Sequence, residues 1–240
     1  MTGLLLAILP SAISSPAKDT ALLSAHLKAV RGEDWLQHDE YRGVQKEYLA
    51  WIESRLKAGV NEKSMNRELR MAGLFPRQPN IADSDAMDEM NKSHAGYLEP
   101  ISVKPVHTAK DVLVIAAGVY KGFGCSLDVT AVIYRRRPLR RLAYLNGDPS
   151  DPQYAFYLSG LDVGEENSTG ERTVASGWVA SNCTSTWNGK RIRIDRLEGS
   201  LIKQIFARDL NAQDRDEGEN VATRVERDIA TFWYQGATRF

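Results

Sequence analysis

The chain has 240 residues, 42% of them hydrophobic and 26% charged, which leaves room for one large globular domain or a medium domain with a smaller appendage. Its 31 Lys plus Arg balance its 31 Asp plus Glu, so the formal net charge is zero. That balance excludes a whole-protein field able to recruit nucleic acid or an anionic membrane; any such binding has to come from a local patch.

The first seventeen residues, MTGLLLAILPSAISSPA, stand apart from the rest. Leu4 to Leu9 form an unbroken apolar run, followed by Pro10 and small residues. Ala12 with Ser14, or Ser15 with Ala17, fill the small-residue positions ahead of a cleavage point. This is the layout of a secretory signal peptide, although no Lys or Arg precedes the run. The expected location is outside the cytoplasm, in the periplasm, the cell envelope or the medium. No later stretch approaches the ~20 apolar residues of a membrane helix, so no span is expected in the mature chain.

Residues 18–75 read as a helical region. Asp19 or Thr20 can cap a first helix with Leu22, Leu23, Leu27 and Val30 along it. DEYRGVQKEYLAWIESRLKAG places Val44, Tyr48, Trp51, Ile52 and Leu56 at helical spacing and stops at Gly59. Asn61 can cap a third helix striped by Met65, Leu69 and Ala72. The second and third helices resemble a helix-turn-helix in outline. A sensor with a β ligand-binding domain is therefore one alternative, although Glu62 and Glu68 spoil a basic reading face. Residues 76–96, broken by Pro76, Pro79 and Gly96 around an acidic DSDAMDEMNKS, read as a linker.

From residue 97 to 240 the period changes from 3.6 to 2. VLVIAAGVY (residues 112–120) is apolar throughout and predicts a strand covered on both faces. Leu127, Val129, Ala131 and Ile133 alternate with Asp128, Thr130 and Tyr134, which predicts a half-buried strand. RRRPLRR then reverses the chain, and residues 142–145 run back toward Asn146-Gly147. Further strands are expected around Tyr154 to Leu158, Val174 to Cys183, Arg191 to Asp195, Leu201 to Ala207 and Ile229 to Tyr234. An acidic loop, DLNAQDRDEGEN, separates the last two. The fold class is α+β: a helical N-terminal region followed by an antiparallel β meander, a barrel or sandwich of about eight strands.

Within NCTSTWNGKRIRID (residues 182–195), Asn188-Gly189 reads as a two-residue hairpin turn flanked by Trp187 and Lys190. That register sends Ile192 and Ile194 to the core and Arg191 and Arg193 to water. Cys183 then belongs to the framework; the histidines (26, 38, 94 and 107) lie upstream in no motif that partners a cysteine. An exported chain with Cys125 and Cys183 invites a disulfide across 58 positions, worth about 4 kcal/mol by loop closure.

No metal-binding spacing, G-x-S-x-G or phosphate loop occurs in the sequence, so no catalytic set, cofactor or metal is expected. The charge feature out of proportion is Arg135, Arg136, Arg137, Arg140 and Arg141, whose guanidinium groups can hold an anionic ligand by paired N–H donors. The plainer reading is a charged hairpin that keeps a sheet edge soluble, with compensating acids nearby. The expected function is a non-catalytic binding or interaction module for a protein or an anionic ligand, with no nucleic-acid partner. The rival is a secreted hydrolase whose site assembles only in three dimensions.

Overall fold

The computed structural model describes residues 16–31, 36, 38–76, 94–122, 127–146, 155–181, 188–212, 221–226 and 229–234. Helices come first: α1 (Pro16–Ala29), α2 (His38–Lys57) and α3 (Glu62–Met71). Asn61 caps α3, its side chain accepting the Ser64 N–H at 2.9 Å. α1 begins earlier than its capping residues suggest. Pro16 starts the helix, which puts Asp19 and Thr20 inside it. Both are drawn into a buried cluster instead. Arg55, 1% exposed, donates to Glu68 at 2.7 and 3.0 Å and to the Thr20 hydroxyl at 2.8 Å, with Asp19 at 3.8 Å. One guanidinium therefore ties all three helices together.

The β part forms two four-stranded antiparallel sheets and a separate hairpin. β1 (Ser102–Lys104), β2 (Val112–Tyr120), β3 (Leu127–Arg136) and β4 (Leu139–Asn146) pair in chain order. β5 (Ala155–Val163), β6 (Glu171–Ser181), β7 (Asn188–Glu198) and β8 (Leu201–Ala212) do the same. β9 (Val221–Glu226) and β10 (Ile229–Tyr234) pair, among the described residues, only with each other. The meander is as expected, with ten strands among the described residues rather than about eight. The additions are the short β1 and β9.

The layers stack as helices, first sheet, second sheet and hairpin. β2 divides its apolar residues as its sequence predicts. Ile115, Ala117 and Val119 join Leu27, Tyr48, Trp51, Ile52, Met65 and Leu69 in a core under the helices. Val112, Val114 and Ala116 join Phe156, Leu161, Val174 and Trp178 between the sheets. β3 departs from expectation, because its polar face is also covered. Val132 and Tyr134 pack under the helices, and Thr130 is 1% exposed. The alternation of polar and apolar residues signals a polar lining beneath α2 rather than a face open to water.

The hairpin β9–β10 seats on the outer face of the second sheet through two glycines. A Cβ on Gly160 would stand 2.2 Å from the Val221 carbonyl oxygen, and one on Gly177 would stand 2.5 Å from a Val221 methyl. The two glycines are register partners, so together they make a notch that admits β9. Asp162, 0% exposed, fixes the seat. Its carboxylate accepts the N–H groups of Val225 and His107, each at 2.9 Å, and the Thr108 hydroxyl at 3.2 Å. Gly160→Ala is expected to cost about 1–3 kcal/mol and to speed amide exchange at Val225 ahead of Val114. A melting temperature and exchange pattern matching wild type would show that the notch does not hold the hairpin.

Candidate functional site

Two surfaces and three polar clusters hold most of the residues that sequence or structure singles out. The arginines of the β3–β4 hairpin are split between the two sides of the first sheet. Arg135 and Arg140 are register partners, while Arg141 pairs with Tyr134 after a bulge between Ile133 and Tyr134. Arg135 is ion-paired to Glu166 and stands 3.9 Å from Asp111. Arg141 reaches Glu53 of α2 at 3.3 Å, and the Arg136 Nε donates to the Val112 carbonyl at 2.8 Å. Arg137 and Arg140 are exposed and have no ion-pair partner among the described residues. The five do not converge. Two are bound to acids, and Arg136, Arg137 and Arg140 stand at the tip.

Arg172 of β6 completes the network around Arg135. At 6% exposure it takes Asp111 by two N–H groups at 2.7 and 3.1 Å and Glu166 at 3.0 Å. Two arginines and two carboxylates thus clamp the sheets at this end. Asp111 precedes β2 and Glu166 lies in the β5–β6 turn, so no sequence spacing announces the cluster.

A second cluster lies beneath α2. The Tyr41 hydroxyl donates to Asp128 at 2.5 Å, and the Lys121 ammonium stands 3.9 Å from the same carboxylate. Gln45 donates to the Tyr41 oxygen at 2.8 Å and to Thr130 at 2.7 Å. Burial pushes the Asp128 carboxyl above its ordinary range, against the pull of Lys121, Tyr41 and the Phe156 N–H. Burial raises Tyr41 well above its usual value, and the Asp128 charge adds to the rise. Tyrosine, lysine and carboxylate within reach of one another are the materials of proton transfer. Here the hydroxyl and the ammonium both turn to the carboxylate.

The third cluster reverses an expectation. Asn188 and Gly189 are not a turn: they open β7, opposite Ser181 and Ala180 of β6. Trp187 lies outside the described residues, as do Cys125 and Cys183, and with them the proposed disulfide. The facing residues are also inverted. Ile192 pairs with Gly177 on the outer face, whereas Arg191 pairs with Trp178 and Arg193 with Ser176 on the face toward the first sheet. Gly177 has no side chain to shield Ile192, and Trp178 fills the interior beside Arg191. Arg193 donates twice to Asp195 Oδ1, at 2.9 and 2.6 Å, and to the Asn146 carbonyl at 3.3 Å. Asp195 is 0% exposed, and its Oδ2 has no partner among the described residues.

The remaining surface is β8. It is the outer strand of its sheet, 12 residues long, and continues through DLNA, which the sequence pattern assigns to a loop. Leu201, Ile205 and Phe206 are 66%, 51% and 43% exposed, so β8 is open on its face as well as its edge. The sequence signal is weak because a bulge at Ile205, between the pairs Ile194–Phe206 and Asp195–Gln204, breaks the alternation. Among the described residues no helix is long and apolar enough to cross a membrane.

No family model matches the chain, and no curated protein and no solved structure matches it either. The geometry therefore has to be read from its own chemistry.

Asp195 yields a prediction with a definite sign. Burial raises its carboxyl above the ordinary value, outweighing Arg193. A raised folded pKa favours the protonated form, so this contribution stabilises the fold in acid. It is lost as pH rises from the unfolded value through the folded one. Asp195→Asn removes that dependence, and its melting temperature is expected to fall less than that of wild type on going from acid to neutral pH. Parallel curves would show that Asp195 ionises as freely in the fold as outside it.

Proposed function

We propose that this protein is an exported, non-catalytic binding module whose partner is another protein, engaged along β8. The observation that carries the reading is the long edge of β8, which pairs with no further strand among the described residues, with Leu201, Ile205 and Phe206 exposed on it. Backbone donors and acceptors on an open edge favour addition of a strand, and exposed apolar side chains add contact area. The interior supports a non-catalytic role. The carboxylates of the Tyr41–Asp128–Lys121, Arg172–Asp111–Glu166 and Arg193–Asp195 clusters are each held by partners of their own. Export rests on the leader-like first seventeen residues.

A second reading has an observation of its own. Arg137 and Arg140 are without ion-pair partners among the described residues, beside the half-engaged Arg136, and suit an anionic ligand at the hairpin tip.

A photo-crosslinking side chain at Phe206, introduced in the producing cells, is expected to give a protein adduct of one defined mass. The same group at Met71, 83% exposed on α3, is expected to give none. Equal labelling at both positions, or none at Phe206, removes the β8 reading. Mass spectrometry of protein recovered outside the cytoplasm is expected to find a new N-terminus between residues 13 and 18. An intact Met1 removes export.

A further inference from the structure

The outer face of β7 and β8 has a pattern of its own. Register pairs Leu201 with Glu198, Lys203 with Arg196, Phe206 with Ile194, Arg208 with Ile192 and Leu210 with Lys190. Ile192 stands opposite Gly177, against which Val221 of the hairpin packs, so all of these residues lie on the outer face. The hairpin seats over Gly160 and Gly177 of β5 and β6. Beside it, Ile192, Ile194 and Leu210 are half-buried and Phe206 is 43% exposed. Lys203 and Arg208 flank Phe206, both exposed and neither ion-paired among the described residues. The free edge therefore presents an apolar centre between two unneutralised cations.

That arrangement distinguishes between occupants. A second copy of β8, added antiparallel in the register that overlaps Leu201 with Leu210, sets each Lys203 opposite an Arg208. Like charges directly opposite on one face destabilise a pair. An incoming strand with acidic side chains at those positions and apolar ones between them meets opposite charge at both ends and Phe206 in the middle.

We propose that β8 accepts, by strand addition, an extended segment of a partner protein in which acidic and apolar residues alternate along one face, so that each acid recurs at every fourth position. This deepens the protein-binding reading above and depends on it. Main-chain hydrogen bonds along β8 supply the affinity, and Lys203 and Arg208 select the charge.

The test uses fluorescence anisotropy on the full chain with four labelled decapeptides: Val-Glu, in which Val-Thr-Glu-Thr repeats so that valine and glutamate alternate along one face; Val-Lys, its Val-Thr-Lys-Thr counterpart; and two Val-Glu forms N-methylated at the odd or at the even amides. Wild type is expected to bind Val-Glu about tenfold or more tightly than Val-Lys, with the preference fading at high salt. The double variant Lys203→Glu, Arg208→Glu is expected to reverse the preference, a gain that misfolding cannot imitate. N-methylation on one of its two registers is expected to weaken binding, because it removes ladder donors. Equal binding of the two charge types, no reversal in the double variant, or indifference to N-methylation on both registers would overturn the proposal. So would a dimer that forms through β8 in sedimentation. Defined crosslinks at Phe206 together with no preference for Val-Glu would remove the acidic partner and leave the protein-binding reading in place.

Discussion

Both faces of β2 and β3 have to be dry at once, and the rest of the structure follows from that. Ile115 and Val132 require the helices on one side, while Val114 and Ile133 require the second sheet on the other. Neither covering layer is large enough to serve both faces. The two cores are joined through the first sheet, each contributing apolar burial of the kind worth roughly 1.5–3 kcal/mol per large side chain. The polar groups trapped in these layers are satisfied by partners in the next layer: Asp128 and Thr130 by α2, and Arg172 by Asp111 across the sheets.

The outermost layer is held differently. The hairpin has only one strand pairing of its own, and a two-stranded ribbon is marginal alone. It gains its place from the close approach that Gly160 and Gly177 permit and from Asp162, a buried carboxylate used as a peg for backbone donors. The seat covers β5 and β6, where the small residues are, and leaves Lys203, Phe206 and Arg208 of β8 exposed. The open surface is therefore a consequence of where the glycines fall.

The period of the sequence was a sound guide where one physical effect dominates. The run of apolar residues in β2 has one packing solution, and Asn61 before a striped helix has one obvious use; both were legible. Legibility failed where two effects compete. Asn188-Gly189 has the backbone freedom of a turn, but Ser181 and Ala180 pair with it in the ladder, and the connection falls before it. Arg191 and Arg193 look solvent-bound by charge, yet Asp209 and Asp195 provide the partners that let them face inward. Two of the ionic clusters were invisible because their members lie far apart in the chain and meet only when the layers stack, whereas Arg193 and Asp195 are two residues apart and were hidden by a pattern that points Arg193 to water. Glu166 is a case in point: its turn gives no hint that two arginines from different sheets close on it.

The buried guanidinium of Arg55 sets a limit on how the chain can be shortened. Its Thr20 partner also accepts the Trp51 indole N–H at 2.9 Å and donates to Glu68, whose carboxyl is held below its usual range because these bonds outweigh burial. Leu23 and Leu27 follow within two turns, both at 2% exposure or less. A chain shortened from the N-terminus past Asp19 loses Thr20 and with it the lock among the three helices. The shortest chain that keeps its helices tied together is therefore set by one hydroxyl.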